Sequence, residues 1–439
     1  MDKLPVSDEL INELILKTGI SSPGSASIRE ITYLVNQVEE ATGIKFIRME
    51  MGVPGLPAPK AGIDAEIAAL KNGVASIYPD IAGIPSLKEE TSRFIKLFLN
   101  LDLDPRGCIP TVGSMMGGMV SFLVANRNDR TKEGTLFIDP GFPVQKQQVK
   151  MLGHDYHSFD VYNFRGRKLK AKLESYLKTG KISSLLYSNP NNPAWICLTE
   201  DELSIIGDLC RKYDVIVIED LAYFGMDFRK DYSVPGKPPY QPTVGRYTDD
   251  YILLISSSKI FSYAGQRAGM MAISNHLFER SYPDLRRYYS SEKFGHSIIF
   301  GALYSLSAGV SHSAQFGLAA LFKAVNDGKY KYRDDVREYG EKAFIMKKLF
   351  TANGFRIVYD CDLDEPIADG FYFTISYPGM TGKELLDRLL RYGISAISLD
   401  ITGSDRKEGL RACVSMVPRD QFKQLEERLV LFNKDHPIV

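Results

Sequence analysis

The chain has 439 residues, which suits two packed lobes or one large α/β body with an appendage better than one simple core. Hydrophobic residues at 44% and charged residues at 25% exclude disordered and collagen-like classes. Lys+Arg and Asp+Glu balance at 54 each, so no net field draws the chain to nucleic acid or an anionic membrane, and the expected partners are small molecules or a second copy of the chain.

The opening residues carry an apolar stretch broken by Asp8, Glu9 and Glu13, unlike the unbroken apolar region of a signal peptide. No run approaches the ~20 apolar residues of a membrane span. Ser27-Ile28-Arg29-Glu30 forms a capping box, and Ile31, Leu34, Val35 and Val38 follow at helical spacing with Gly43 as a stop, which predicts a helix over about residues 28–42. Short apolar runs then alternate with helical patterns: Leu136 to Ile138, Leu185 to Tyr187, Val215 to Ile218, Ile252 to Ile255 and Met270 to Ile273. Runs apolar on both faces fit strands covered by helices on both sides. Thr199-Glu200-Asp201-Glu202 is a second capping box, opening a stretch in which Leu203, Ile206 and Cys210 share a face. Strand, helix and strand make a parallel crossover unit. Residues 314–350 have a helical pattern interrupted near Gly328, leading to a C-terminal lobe that contains Phe371 to Phe373 and Leu410 to Met416. The five cysteines, Cys108, Cys197, Cys210, Cys361 and Cys413, are scattered, odd in number and never in a C-x-x-C pair, as expected in a reducing cytoplasm.

In open α/β sheets, functional groups gather beyond the carboxyl ends of strands. The run at 251–255 leads into Ser256-Ser257-Ser258-Lys259, with Arg267 eight residues beyond the lysine. Burial or nearby positive charge keeps such a lysine partly unprotonated and able to attack a carbonyl carbon, and hydroxyls with a guanidinium suit a phosphate. At another strand end sit Asp220 and Tyr223. An anion there suits a protonated pyridine nitrogen, and a phenol can donate to a ring oxygen. Ser188-Asn189-Pro190-Asn191-Asn192-Pro193-Ala194-Trp195 holds Asn192 between prolines, and Gly113 to Met119 offers glycine-rich backbone before a helix, a natural anion site. Met119 and Val120 stand where a nucleotide phosphate loop needs Lys and Ser or Thr, so that motif is disfavoured. Each feature alone has a plain structural use: a solvated lysine, a capping acid, a packed tyrosine, a turn.

Together, and in this order, the residues resemble the class I and II aminotransferases of the pyridoxal-5'-phosphate (PLP) fold-type I superfamily. The landmarks run from Gly52 to Arg411: Tyr78-x4-Gly83-x3-Leu87-Lys88-Glu89, Gly113-Ser114, Asp139-Pro140-Gly141-Phe142-Pro143, Asn189-Pro190-Asn191-Asn192-Pro193, Asp220-x-x-Tyr223, Ser256-x-x-Lys259 and Gly409-Leu410-Arg411. The resemblance implies an α/β fold. On this resemblance residues 1–48 would form an N-terminal arm and part of the small domain, 49–310 a large PLP-binding domain with a mostly parallel sheet, and 311–439 a smaller C-terminal α/β domain. It implies that Lys259 carries PLP as a Schiff base, that Asp220 pairs with the pyridine nitrogen, and that Asn192 and Tyr223 hold the ring oxygen while Phe142 stacks on the ring. Gly113, Ser114, the Met115 amide, Ser256, Ser258 and Arg267 would surround the phosphate, and no metal is expected. Tyr78 matches a tyrosine that reaches the neighbouring subunit's phosphate, which implies a homodimer. Arg411 matches the arginine that grips the substrate α-carboxylate, with Gly52 and Asn192 lining the same pocket.

Two departures touch substrate choice. Ala194-Trp195 replaces the usual Thr-Gly, leaving Trp195 as either a pocket wall or a structural replacement, and Phe142 replaces a Tyr or Trp. The implied activity is amino transfer between an amino acid and a 2-oxo acid. Other reactions of the same fold, β-elimination, C-S cleavage or decarboxylation, share the lysine chemistry. A non-catalytic PLP-sensing regulator would carry a DNA-binding domain ahead of this pattern, whereas here the pattern begins near residue 45.

Overall fold

The computed structural model describes residues 4–132 and 134–438. Its centre is a seven-stranded sheet of β1 (Cys108–Thr111), β2 (Gly134–Asp139), β3 (Asp155–Asp160), β4 (Ile182–Ser188), β5 (Ile216–Leu221), β6 (Tyr251–Ser256) and β7 (Gly269–Ile273), in the order β1-β7-β6-β5-β4-β2-β3. β2, β3, β4, β5 and β6 pair in parallel, whereas β7 runs antiparallel to both of its neighbours. Burial explains the apolar runs: every residue of β5, β6 and β7 is buried. The single reversal has a functional consequence, because it brings the start of β7, just after Arg267, to the same edge as the carboxyl ends of β4, β5 and β6.

Local signals set the helices. Ile28–Thr42 starts at the Ser27/Glu30 capping box and stops at Gly43 in the left-handed conformation, and Glu200–Lys212 starts at the Thr199/Glu202 box. Residues 314–350 divide into helices His312–Asn326 and Tyr332–Ala352, with Gly328 at a positive φ between them. One expectation is corrected: the glycine-rich run does not precede its helix but opens it, since the helix spans Gly113–Ala125. Gly117 and Gly118 instead sit within the helix, where added Cβ atoms would meet the Leu254 side chain at 3.0 and 3.9 Å, so they allow close packing on β6.

A second sheet, β8 (Arg356–Ile357), β9 (Tyr372–Ser376), β10 (Ile397–Ser398) and β11 (Leu410–Cys413), is antiparallel in the order β10-β11-β9-β8. The N-terminal residues pack on this lobe: Ile47–Arg48 pairs in parallel with Ile394–Ser395, and the Val6 amide donates to the Arg391 carbonyl at 3.0 Å. Met49 continues this pairing, accepting from the Cys413 amide at 3.0 Å, and so leads the chain from one lobe into the other beside β11.

A buried ion network ties the lobes together. Arg165 donates to both Glu202 oxygens at 2.7 and 2.8 Å and to Asp362 at 2.5 Å, and Arg229 reaches the other Asp362 oxygen at 2.8 Å. Asp362 also accepts from the Cys197 amide at 3.1 Å. Asp362→Ala leaves Arg165 paired with Glu202 and Arg229 with Asp227 but removes the acceptor that joins them to each other and to the Cys197 amide, so it lowers the unfolding free energy by about 2 kcal/mol. Urea denaturation reads this as a lower midpoint, and an unchanged midpoint would show that the network contributes nothing to stability.

Candidate active site

Lys259, Asp220 and Arg411, distant in sequence, line one cavity of about 600 Å³. Ser114, Met115, Phe142, Asn192, Tyr223, Ser256, Ser258, Arg267 and Gly52 line it too. Gly113 lies just behind, with a φ of +66° and so close to Arg267 that an added Cβ would come 2.5 Å from the guanidinium Nη2. Tyr78 is elsewhere, with 93% of its surface exposed.

The lysine leaves β6 through a short turn. The Ser256 hydroxyl accepts from the Ser258 amide at 3.2 Å, and Ser257 donates to the Ala268 carbonyl at 2.6 Å, which fixes the turn against the start of β7. The Lys259 ammonium donates to the Gly52 carbonyl and lies 5.1 Å from the centre of the Phe371 ring. Burial brings its pKa down to about 8, with Arg411 and Arg267 adding to the effect.

Asp220, next to the end of β5, accepts from the Gln145 side-chain amide at 2.8 Å and from the Ala222 amide at 3.1 Å. Among the described residues it has no cationic partner, and burial pushes its pKa up to about 6. Tyr223 shares a hydrogen bond with Tyr372 at 2.7 Å. The loop carrying Asn192 is pinned to this strand, since the Asn189 amide donates to the Asp220 carbonyl at 3.1 Å and Asn191 donates to the Pro140 carbonyl at 2.7 Å.

Arg411 enters from the other lobe on β11 and is only 2% exposed. It donates to the Asn192 side-chain oxygen at 3.3 Å and to the Glu50 carbonyl, and its guanidinium lies 4.6 Å from the Tyr372 ring centre. Its Nε is buried without a partner, and among the described residues it forms no ion pair. A buried guanidinium with a spare donor and no carboxylate is poised for an anionic ligand.

Trp195 is fully buried and does not line the cavity. Its ring packs 5.3 Å from Tyr223 and 6.1 Å from Tyr372, so it supports the cavity from behind. Sequence reasoning passed over Gln145, Tyr372 and Arg29, all of which line the cavity. Gln145 had one usable signal: it follows Phe142 by three residues at the start of helix Pro143–Met151, which puts both on the same side of its first turn.

A model of the family described as aminotransferase class I and II matches residues 44–429. The chain is similar to a probable aspartate aminotransferase of Methanocaldococcus jannaschii, 25% identical over 323 residues, spanning 69% of this chain and 82% of that protein. It is also similar to an LL-diaminopimelate aminotransferase of Natranaerobius thermophilus, 29% identical over 240 residues, spanning 54% of this chain and 59% of that one. In fold it resembles an alanine aminotransferase from Pyrococcus furiosus, with a TM-score of 0.75 at 19% identity over 96% of this chain and 99% of that chain.

The unpaired Asp220 has a measurable signature in the ligand-free protein. Burial raises its carboxyl pKa from the ordinary 3.8 to about 6, so the stability this group contributes is fully present below 3.8 and is lost as pH rises through about 6. The loss at neutral pH is on the order of 3 kcal/mol. Asp220→Asn cannot ionise, so its melting temperature relative to the parent rises between about pH 4 and pH 7. A flat difference in paired thermal melts would show that Asp220 is not held in this way.

Proposed function

The chain belongs to the class I and II aminotransferases, and on that premise we propose that its PLP-dependent exchange of amino groups between an L-amino acid and a 2-oxo acid takes place at Lys259. The observation that carries this reading is the convergence of a lysine of depressed pKa, a buried carboxylate without a cation and a buried arginine without an anion in one cavity. These residues fit the cofactor. Asp220 lacks the positive partner that a pyridinium provides, and Gly113 leaves the space beside Arg267 that a phosphate cradle requires.

When bound, PLP supplies an aldehyde carbon that amines condense with and a pyridine ring that accepts electrons from the substrate α-carbon. Lys259 would provide the amine for covalent attachment, and its Nζ would serve as the general base and acid that moves the substrate α-proton. Asp220, its carboxylate oriented by Gln145, would hold the proton on the ring nitrogen. Asn192 and Tyr223 would donate toward the ring oxygen, and Phe142 would cover the ring face. Ser114, the Met115 amide, Ser256, Ser258 and Arg267 surround the phosphate beside Gly113. Arg411 grips the substrate α-carboxylate with two parallel donors, while the Gly52 backbone lines the same pocket.

The same reading includes a homodimer with shared sites. Its support is exposed apolar surface: Ile63, Ile67 and Leu70 recur on one face of helix Lys60–Lys71, and exposed Ile77 and Tyr78 follow. The lobes divide into 1–48 with 311–439 and 49–310, in line with the N-terminal pairing onto the small sheet. Scattered unbridged cysteines support a cytoplasmic setting, and no helix among the described residues is long and apolar enough to cross a membrane.

Borohydride reduction of the PLP-loaded protein followed by peptide mapping labels Lys259 alone, and a label elsewhere overturns the assignment. Incubation with single amino acids yields 2-oxo acid without ammonia, thiol or carbon dioxide; release of any of these instead points to a lyase or decarboxylase. Arg411→Lys keeps the charge but loses the fork, so the apparent KM for amino acids and oxo acids alike rises by roughly tenfold or more while PLP absorbance persists. An unchanged KM with lower thermal stability would make Arg411 structural.

A further inference from the structure

Tyr372 lines the cavity from the start of β9, and the chemistry above gives it no part. Its hydroxyl lies 2.7 Å from that of Tyr223, and among the described residues neither hydroxyl has another hydrogen-bond partner. The Tyr372 ring is held on several sides, with the Arg411 guanidinium at 4.6 Å, Phe371 at 5.1 Å and Trp195 at 6.1 Å from its centre. A Cβ added at Gly52 would strike the Tyr372 hydroxyl, so this hydroxyl rests against the residue whose carbonyl accepts from Lys259. The ring and its oxygen therefore have one place to sit.

Burial raises the pKa of both phenols, so both keep their protons at neutral pH. Two protons then serve two oxygens: one lies between them, and the other stays free on the oxygen that accepts. Arg411 decides which oxygen that is. Its positive charge against the Tyr372 ring counters the effect of burial there, whereas Tyr223 is pushed further up by Tyr372 itself. Tyr372 is thus the better donor, and the free proton belongs to Tyr223.

We propose that Tyr372 is a positioning residue that donates to the Tyr223 oxygen and thereby holds the Tyr223 proton toward the ring oxygen of the cofactor. This rests on the placement of PLP proposed above. Without the donation, the Tyr223 hydroxyl is free to turn about its C–O bond. A proton aimed at the ring oxygen stabilises negative charge on it, and that charge is fullest when the nitrogen linking PLP to Lys259 has lost its own proton. Tyr372, acting through Tyr223, therefore lowers the pH at which the linking nitrogen deprotonates.

The PLP-loaded protein reports that pH by its colour, because the absorbance of lysine-bound PLP changes as the linking nitrogen loses its proton. Spectrophotometric pH titration of Tyr372→Phe shows the change raised by roughly half to one pH unit, the size of one hydrogen bond. Tyr223→Phe raises it by more, and adding Tyr372→Phe to Tyr223→Phe raises it no further. 3-Fluorotyrosine in place of Tyr372 nearly keeps the shape of the side chain but is a stronger donor, so it moves the change to lower pH, which lost packing does not do. That arm stands whether or not Tyr372→Phe retains PLP. The proposal is overturned if the fluorinated side chain leaves the change in place or raises it, or if the Tyr372→Phe shift persists in full beside Tyr223→Phe. An unmoved change in Tyr223→Phe removes Tyr223 from the ring oxygen and this proposal with it, while the borohydride label on Lys259, read in the same protein, tells whether the placement of PLP still stands.

Discussion

A carboxylate buried without a cation is costly, and Asp220 is held in that condition at the middle of the sheet edge. Two neutral donors, the Gln145 side chain and the Ala222 amide, orient it but cannot cancel its charge. A positively charged group brought by a ligand can. The surrounding architecture serves that demand. Parallel pairing places the ends of β4, β5 and β6 side by side at the ~4.8 Å spacing of neighbouring strands, so the Asn192 loop, Asp220 and the Lys259 turn project together.

Opposite this edge stands a wall from the small lobe. Arg411 lies directly across from Thr374 in the register of β11 and β9, which places Tyr372 two residues away on the same face of β9. Tyr372 touches both sides of the cavity, sharing a hydrogen bond with Tyr223 at 2.7 Å and lying under Arg411. The fit is tight: a Cβ added at Gly52 would collide with the Tyr372 hydroxyl, so only glycine permits that approach. Trp195 closes the aromatic cluster from behind, giving two independent lobes a shared rigid surface. Charge is thus sorted along the cavity: a buried carboxylate at Asp220, a lysine of lowered pKa at Lys259, and the guanidinium groups of Arg267 and Arg411.

Much of this was legible in the residues because the signals are local. Both capping boxes fix helix starts at Ile28 and Glu200, Gly43 fixes a helix end, and apolar runs fix the strands. The family landmarks then place Lys259, Asp220, Asn192 and Arg411 in one site, and the fold gathers them into one cavity. Other features depend on long-range packing. An apolar run carries no direction, so the reversal of β7 is invisible until it pairs with β1 and β6. Whether Trp195 faces ligand or core depends on its left-handed backbone, φ +64°, and on Gly370, whose missing side chain leaves room for the indole. Tyr372 and Arg29 lie in ordinary strand and helix patterns, and their place at the cavity follows from how the lobes meet.

The role proposed for Asp220 is to keep the cofactor's ring nitrogen protonated. Nitrogen-15 magnetic resonance of protein loaded with PLP labelled at the ring nitrogen observes that proton directly. The parent keeps a pyridinium shift across neutral and mildly alkaline pH, and Asp220→Asn moves it to the shift of neutral pyridine. A neutral ring nitrogen in the parent, or one that stays protonated in the variant, would contradict the assignment of the buried carboxylate as its partner.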